Sequence, residues 1–281
     1  MNSKDFTFYN QNGYLVKKNL ISKKIIQKIN NEIKKLKQIK NYKYFEYKKI
    51  KNKKYILRLQ DPHTKHKVFS DLSKNKTIIE IVAKLMGGTA RFHHSKLNFK
   101  LPSNLGGVIY WHQDWSFYPH TNDDLLAVGI YLEDCNEING PLKVIPKSHK
   151  GKLYDHHYKG NFIGKITEKI NIKKAVSLTG SAGTVTFHHV RTLHASGLNL
   201  TENSRPLLLF GYSANDAWPL TYDKGSAIDP NNNLFNYDKL IIKGKKTLTP
   251  RIIKTPIKIP LPRKSDSIYD LQKNIVKKSK L

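Results

Sequence analysis

The chain has 281 residues, of which 38% are hydrophobic and 10% aromatic, enough to bury a sizeable core and too many for a disordered chain. Fifty Lys and Arg stand against 21 Asp and Glu, a formal charge of +29 that would suit nucleic acid, an anionic membrane surface or anionic substrates. The excess is mainly lysine, spread among many Ile and Asn along most of the chain, which reads as compositional bias. No nucleic-acid-binding motif accompanies it, so nucleic acid is not an expected partner. No run approaches the ~20 apolar residues of a spanning helix, so no membrane partner is expected either. The first residues, Met1 to Gln11, are polar and lack a signal-peptide core. Cys135 is the only cysteine, which excludes an intramolecular disulfide and fits a reducing, cytoplasmic setting. The sequence does not specify an oligomeric state.

Phe6 to Tyr9 lead to a turn signal at Asn12-Gly13, and Tyr14-Leu15-Val16 reads as a short strand. Ser22 can cap a helix whose apolar stripe is Ile25, Ile26, Ile29, Ile33 and Leu36. The basic, aromatic stretch Lys43 to Arg58 is expected to cover a sheet or stay mobile. Val68–Leu72 and Thr77–Met86 read as helices, the second ended by Gly87-Gly88. From Thr89 the texture turns to strands: Ala90–Phe99, Val108–Asp114, Leu125–Leu132, Leu142–Ile145, Thr184–His188 and Leu207–Ser213. From Lys246 onward, Pro250, Pro256, Pro260 and Pro262 exclude a regular helix or central strand. That tail is expected to wrap the surface or to be partly disordered. Helices followed by many closely spaced strands predict a single α+β domain, mainly β. Residues 1–88 would be mostly helical, 89–215 a jelly-roll core and 216–281 a C-terminal extension.

The stretch Trp111-His112-Gln113-Asp114-Trp115 follows the β-rich run Val108-Ile109-Tyr110. If the strand continues through it, His112 and Asp114 point the same way and Gln113 points away. An imidazole and a carboxylate so placed can grip two positions of one metal ion. A second histidine would complete the two-His, one-carboxylate facial triad that suits non-haem Fe(II). His194, after the strand Thr184–His188, can supply it. His188 and His189 compete, but on opposite faces of their strand at most one of them points inward. His149 ends a turn and reads as structural, and His156 and His157 read as exposed. Arg205 opens a strand and can pair with a carboxylate, with Ser196 adding a hydroxyl. Arg191, in a loop, reads as a surface residue. Trp115, Phe117, Tyr118 and His120 could line a pocket mouth or simply be barrel core. Asn122, Asp123 and Asp124 could meet polar or cationic groups or form a solvated turn, and Trp218 is a further pocket candidate.

Taken together, His112-Gln113-Asp114, Asn139-Gly140-Pro141-Leu142, Ile145-Pro146-Lys147-Ser148-His149, His194-Ala195-Ser196-Gly197 and Arg205 resemble the phytanoyl-CoA dioxygenase family. The opening Asn12 to Leu20 resembles it too, so the likeness runs over roughly residues 5 to 215. It implies a double-stranded β-helix, cupin-like, with the N-terminal helices packed on one sheet. It implies Fe(II) held by His112, Asp114 and His194, with 2-oxoglutarate and O2 as cosubstrates. Arg205 and Ser196 would hold the far carboxylate of 2-oxoglutarate. Lys100 matches a cosubstrate-contacting lysine of the ectoine hydroxylases, and His94 a substrate-contacting position there. The implied activity is hydroxylation of a small metabolite at an unactivated carbon, with release of succinate and CO2, and the positive charge of the chain points to an anionic one. Because Asp114 keeps the carboxylate, hydroxylation is favoured over halogenation. Two departures stand out. Lys147 replaces the glycine usual in the Pro-Gly-Ser-His turn, and Ile130 stands where some relatives place an aromatic near 2-oxoglutarate. The rival readings are an oxygenase or binder acting on nucleic acid through the basic surface, and a non-catalytic jelly-roll module.

Overall fold

In the computed structural model, which describes residues 1–221, 234–265 and 267–275, the opening segment before the expected turn at Asn12-Gly13 is a helix. Helix α1 (Ser3–Asn12) starts on a reciprocal cap: the Asn2 side chain accepts from the Asp5 amide at 2.8 Å, and the Asp5 carboxylate from the Asn2 amide at 3.3 Å. It stops at Gly13, whose φ is +78° and whose missing Cβ would lie 2.4 Å from the His149 imidazole. Only glycine fits there, on both counts. Strand β1 (Tyr14–Lys17) leads to α2 (Lys23–Gln38), where Ser22 Oγ accepts from the Ile25 amide at 3.4 Å. The helix buries Ile26, Ile29, Ile33 and Leu36, as its spacing predicts.

The basic stretch after it is neither a loose cover nor mobile. It folds into a hairpin, β2 (Phe45–Ile50) and β3 (Lys53–Gln60), that extends the main sheet. Phe45, Tyr47, Ile56 and Leu59 pack into the main apolar cluster, a signal masked by the lysines between them. Helices α3 (Lys67–Ser73) and α4 (Lys76–Leu85) follow, and Gly87 and Gly88 end α4 at positive φ. The remaining strands are β4 (Ala90–Lys100), β5 (Ile109–His112), β6 (Leu125–Tyr131), β7 (Leu142–Val144), β8 (His157–Tyr158), β9 (Asn161–Phe162), β10 (Val176–Leu178), β11 (Val185–His189), β12 (His194–Ser196), β13 (Arg205–Ser213) and β14 (Ile241–Lys243). A last short helix, α5, spans Ile268–Leu271, in the tail where no helix was expected; it begins beyond Pro262, the last proline.

Apart from the small β8-β9 pair, the strands form two facing antiparallel sheets, the double-stranded β-helix expected. The larger has the order β1-β11-β6-β13-β4-β3-β2, with β14 also beside β4, and the smaller β10-β7-β12-β5. Helices α1 to α4 cover the outer face of the larger sheet. There Leu97, Phe99, Val128, Ile130, Phe187 and Leu208 pack against Ile29, Ile33, Ile78 and Val82 in one apolar cluster. The inner face is polar, and that polarity marks the site.

From residue 244 to 265 the described chain forms no helix or strand, as its prolines require. It runs along the body, where the Ile253 amide donates to Thr121 O at 3.0 Å and the Trp115 indole to Pro256 O at 3.3 Å. The last residues of the expected tail, 276–281, and residues 222–233 of the extension lie outside the described residues. Among the described residues, no helix is long and apolar enough to cross a membrane.

Candidate metal centre and its cavity

His112 and His194 are direct partners in the antiparallel pairing of β5 with β12, and their rings lie 4.0 Å apart. Asp114 meets them by a different route from the one the sequence suggests. Strand β5 ends at His112, and Asp114 opens a single 3-10 turn, Asp114–Ser116. That turn, not strand alternation, swings the carboxylate back. Its Oδ1 lies 3.7 Å from both His112 Nε2 and His194 Nε2. The three side chains form the one cluster among the described residues whose donor atoms converge within 4.8 Å.

The imidazoles are oriented from behind. His112 Nδ1 lies 2.8 Å from Tyr110 O, and His194 Nδ1 lies 2.9 Å from Thr192 O. A carbonyl only accepts, so each Nδ1 carries the proton and each Nε2 offers its lone pair. Burial holds His112 well below the usual imidazole range and His194 down to about 4, so both are neutral donors near neutral pH. Burial alone would raise the Asp114 carboxyl. The imidazoles of His194, His188 and His112 outweigh it and hold the group well below the usual carboxylate range. Two neutral nitrogens and one carboxylate are the donor set of a facial triad. The residues present therefore fit a divalent iron ion.

The same cavity, about 1120 Å³ counted out to its open mouth, has a basic end. Arg205 is the register partner of Lys100 across β13 and β4, and both are buried. Arg205 donates through Nε to Asn139 O at 3.0 Å and through Nη2 to Gly140 O at 2.7 Å. Lys100 donates to Gly107 O and, at 3.1 Å, to Ser196 O. Burial, then the neighbouring Arg205, pulls the Lys100 ammonium down to about 7. Ser196 Oγ donates to Gly140 O at 3.0 Å. Ser196 is two residues beyond His194 on β12, a step of ~7 Å.

Strand alternation on β4 brings His94, Lys96, Asn98 and Lys100 to the cavity wall. Only His94 and Lys100 stood out in the sequence, although their even spacing would have found Lys96. Of the competing pair, His188 is the inward histidine and lines the cavity; Arg58, and Ile268 and Tyr269 from α5, line it too and were missed in the sequence. Phe117 and Tyr118 line it too.

Other expected positions fall elsewhere. Trp115 is not a pocket residue: it is 2% exposed within the apolar core. Asp124 does not face the cavity either, and forms an ion pair with Arg251. Asp123 pairs with Arg191 at 2.8 Å, and the Asn122 amide donates to Asp216 O at 3.1 Å. His120 is buried against His93, and Trp218 packs on Arg91 and Tyr237, both outside the cavity. His156, expected to be exposed, is 1% exposed: its Nε2 accepts from the Gln113 amide at 2.9 Å, bracing the metal-pair turn. His149 is structural, its Nε2 3.2 Å from Asn10 O. Lys147 takes φ +68°, so the turn keeps a glycine-like conformation despite its side chain. Ile130 faces the outer core, and the neighbouring Tyr131 lines the cavity.

A double-stranded β-helix that aims two imidazoles and one carboxylate into its cavity defines a class, the mononuclear non-haem iron oxygenases. Residues 9–207 match the phytanoyl-CoA dioxygenase (PhyH) family, and the chain belongs to it. It is an enzyme, a 2-oxoglutarate-dependent dioxygenase that uses Fe(II), 2-oxoglutarate and O2. It is 40% identical over 234 residues to a probable alpha-ketoglutarate-dependent hypophosphite dioxygenase of Stutzerimonas stutzeri, covering 80% of this chain and 78% of that one. It is 27% identical over 229 residues to an ectoine dioxygenase of Stutzerimonas stutzeri strain A1501, covering 73% and 74%. In fold it is similar to the epimerase SnoN in complex with Fe3+ and alpha ketoglutarate, with a TM-score of 0.65 at 19% identity over 79% of this chain and 86% of that one. EctD from S. alaskensis with 2-oxoglutarate and 5-hydroxyectoine gives a TM-score of 0.63 at 20% identity, covering 76% of each chain.

Proposed function

We propose that this enzyme hydroxylates a small anionic molecule, with His112, Asp114 and His194 holding Fe(II) and Arg205, Lys100 and Ser196 holding the far carboxylate of 2-oxoglutarate. The spacing supports the second assignment. Ser196 is one two-residue step along β12 from His194, ~7 Å, and its carbonyl accepts from Lys100 at 3.1 Å, so the Lys100–Arg205 pair lies beyond that step, a reach that suits a five-carbon dicarboxylate. Arg205 offers a forked donor, and Lys100 adds a point charge beside it.

One observation carries the anionic substrate. Lys96, Lys100 and Arg205 line the cavity, as does Arg58, whose charge is offset by Glu46 at 2.5 Å, and among the described residues Asp114 is the lone lining carboxylate. A divalent iron and a dianionic cosubstrate cancel each other's charge, so the loaded cavity keeps a positive field. The 40% identical relative is named for hypophosphite, a small oxyanion, and that name agrees with the charge. His94, Lys96, Phe117 and Tyr118 form the wall where such a molecule would sit. The bound iron and 2-oxoglutarate supply the oxidising chemistry, giving succinate and CO2. The protein's own residues position the reactants. Tyr110 O and Thr192 O fix the imidazole tautomers, and Ile268 and Tyr269 from the C-terminal segment help close the cavity against water. The single reduced cysteine fits a cytoplasmic setting.

The test is anaerobic. Adding Fe(II) and then 2-oxoglutarate to the purified protein should give a metal-to-ligand absorption band. Admitting O2 with hypophosphite or small carboxylates should release succinate, and Asp114→Ala should lose turnover. Well-folded protein that shows neither band nor succinate overturns the assignment. Turnover with neutral or cationic substrates alone overturns the anionic class.

A further inference from the structure

A third imidazole faces Asp114. His188 Nε2 lies 3.5 Å from Asp114 Oδ2, whereas His112 and His194 face Oδ1. His188 is 2% exposed, its ring lies 4.6 Å from that of His194, and neither ring nitrogen has a hydrogen-bond partner. Leaving a buried polar group unpaired costs ~1–3 kcal/mol, so a buried imidazole without a partner calls for one. The backbone gives the two residues different rigidity. His188 is paired on both sides within the large sheet, with Tyr14 of β1 and Ala127 of β6. Asp114 rides on a single turn at a strand end. The strand residue is the fixed partner and the carboxylate is the one to be held.

We propose that His188 is a positioning residue: its Nε2–H holds Asp114 Oδ2, leaving Oδ1 as the single oxygen offered to the metal. A carboxylate that chelated through both oxygens would take a further coordination position, one the reaction needs for 2-oxoglutarate or O2. His188 is not itself a ligand, because it faces the oxygen turned away from the other two imidazoles. This inference rests on the metal assignment above, and its test keeps the two apart.

Metal-free protein is titrated with Co(II), whose visible absorption reports coordination without redox chemistry, and circular dichroism checks each variant's fold. Wild type should bind Co(II), and His194→Ala should not; failure of the wild type removes both the metal assignment and this inference. His188→Phe should bind Co(II) about 10–100-fold more weakly, with an altered visible spectrum. His188→Gln keeps an N–H donor and should recover most of the affinity and the wild-type spectrum. Three outcomes overturn the positioning role while leaving the metal site standing. His188→Phe could match wild type in affinity and spectrum. It could lose Co(II) as completely as His194→Ala, which would make His188 a ligand. Or His188→Gln could bind as weakly as His188→Phe.

Discussion

Lys100 and Arg205 are opposite one another in the antiparallel pairing of β4 with β13, two buried cations side by side. Like charges in that position destabilise a sheet, and burial adds to the cost. A bound dianion offsets both. The proposed 2-oxoglutarate site predicts that the metal-free protein carries this cost and that the cosubstrate relieves it.

Lys100→Met tests this directly. A lysine whose pKa falls from 10.5 to about 7 on folding costs stability below its unfolded value. The cost is full below about pH 7 and fades as the pH rises toward 10. The metal-free variant should melt higher than wild type, with the larger gain at pH 6 than at pH 9. Its KM for 2-oxoglutarate should rise. In wild type, 2-oxoglutarate affinity should decline as the pH climbs from about 7, and the variant should flatten that decline. Melting curves and 2-oxoglutarate titrations across pH check both.

Arg205 should matter more for binding than for metal uptake. Charge-assisted hydrogen bonds contribute ~1.5–3 kcal/mol each, so Arg205→Ala should weaken 2-oxoglutarate about 10–150-fold. Arg205→Lys should recover little of this, because a point charge cannot reproduce a fork. Co(II) affinity should stay near wild type in both. A parallel loss of metal would place Arg205 in the fold rather than in the cosubstrate site.

Gly211 is a probe of the substrate wall. It pairs with His94, and a Cβ there would lie 2.6 Å from the His94 ring. An imidazole is a rigid neighbour, so Gly211→Ala should displace it at a cost of ~1–3 kcal/mol. Substrate KM should shift severalfold while 2-oxoglutarate and Co(II) binding hold. Unchanged substrate kinetics would remove His94 from the substrate wall.

Acid should unfold the metal-free protein through its buried imidazoles. Burial lowers His63, His93 and His156 to about 4. Each is neutral in the fold but protonates in the unfolded chain below ~6.5. Their contribution is complete above ~6.5 and is lost as the pH falls toward 4, at up to ~1.4 kcal/mol per pH unit for each. Denaturant unfolding at pH 7, 6 and 5 should show the decline, with proton uptake on unfolding. A flat profile would mean that these rings are solvated.

Much of this protein is legible along the chain. The stripe of α2, the strand texture after Thr89 and the proline-rich tail follow from local periodicity and backbone chemistry, which neighbours in sequence settle. The resemblance to the family likewise rests on short motifs read in order. The structure alone decided what depends on residues far apart. It put the basic stretch after α2 into a hairpin on the main sheet, because pairing energy comes from a partner strand that the sequence does not name. It brought Asp114 to the two histidines through a 3-10 turn rather than a continued strand. It buried Trp115 and His156 and turned His188 toward Asp114. Burial and orientation come from packing two sheets face to face, and no window of sequence contains both sheets.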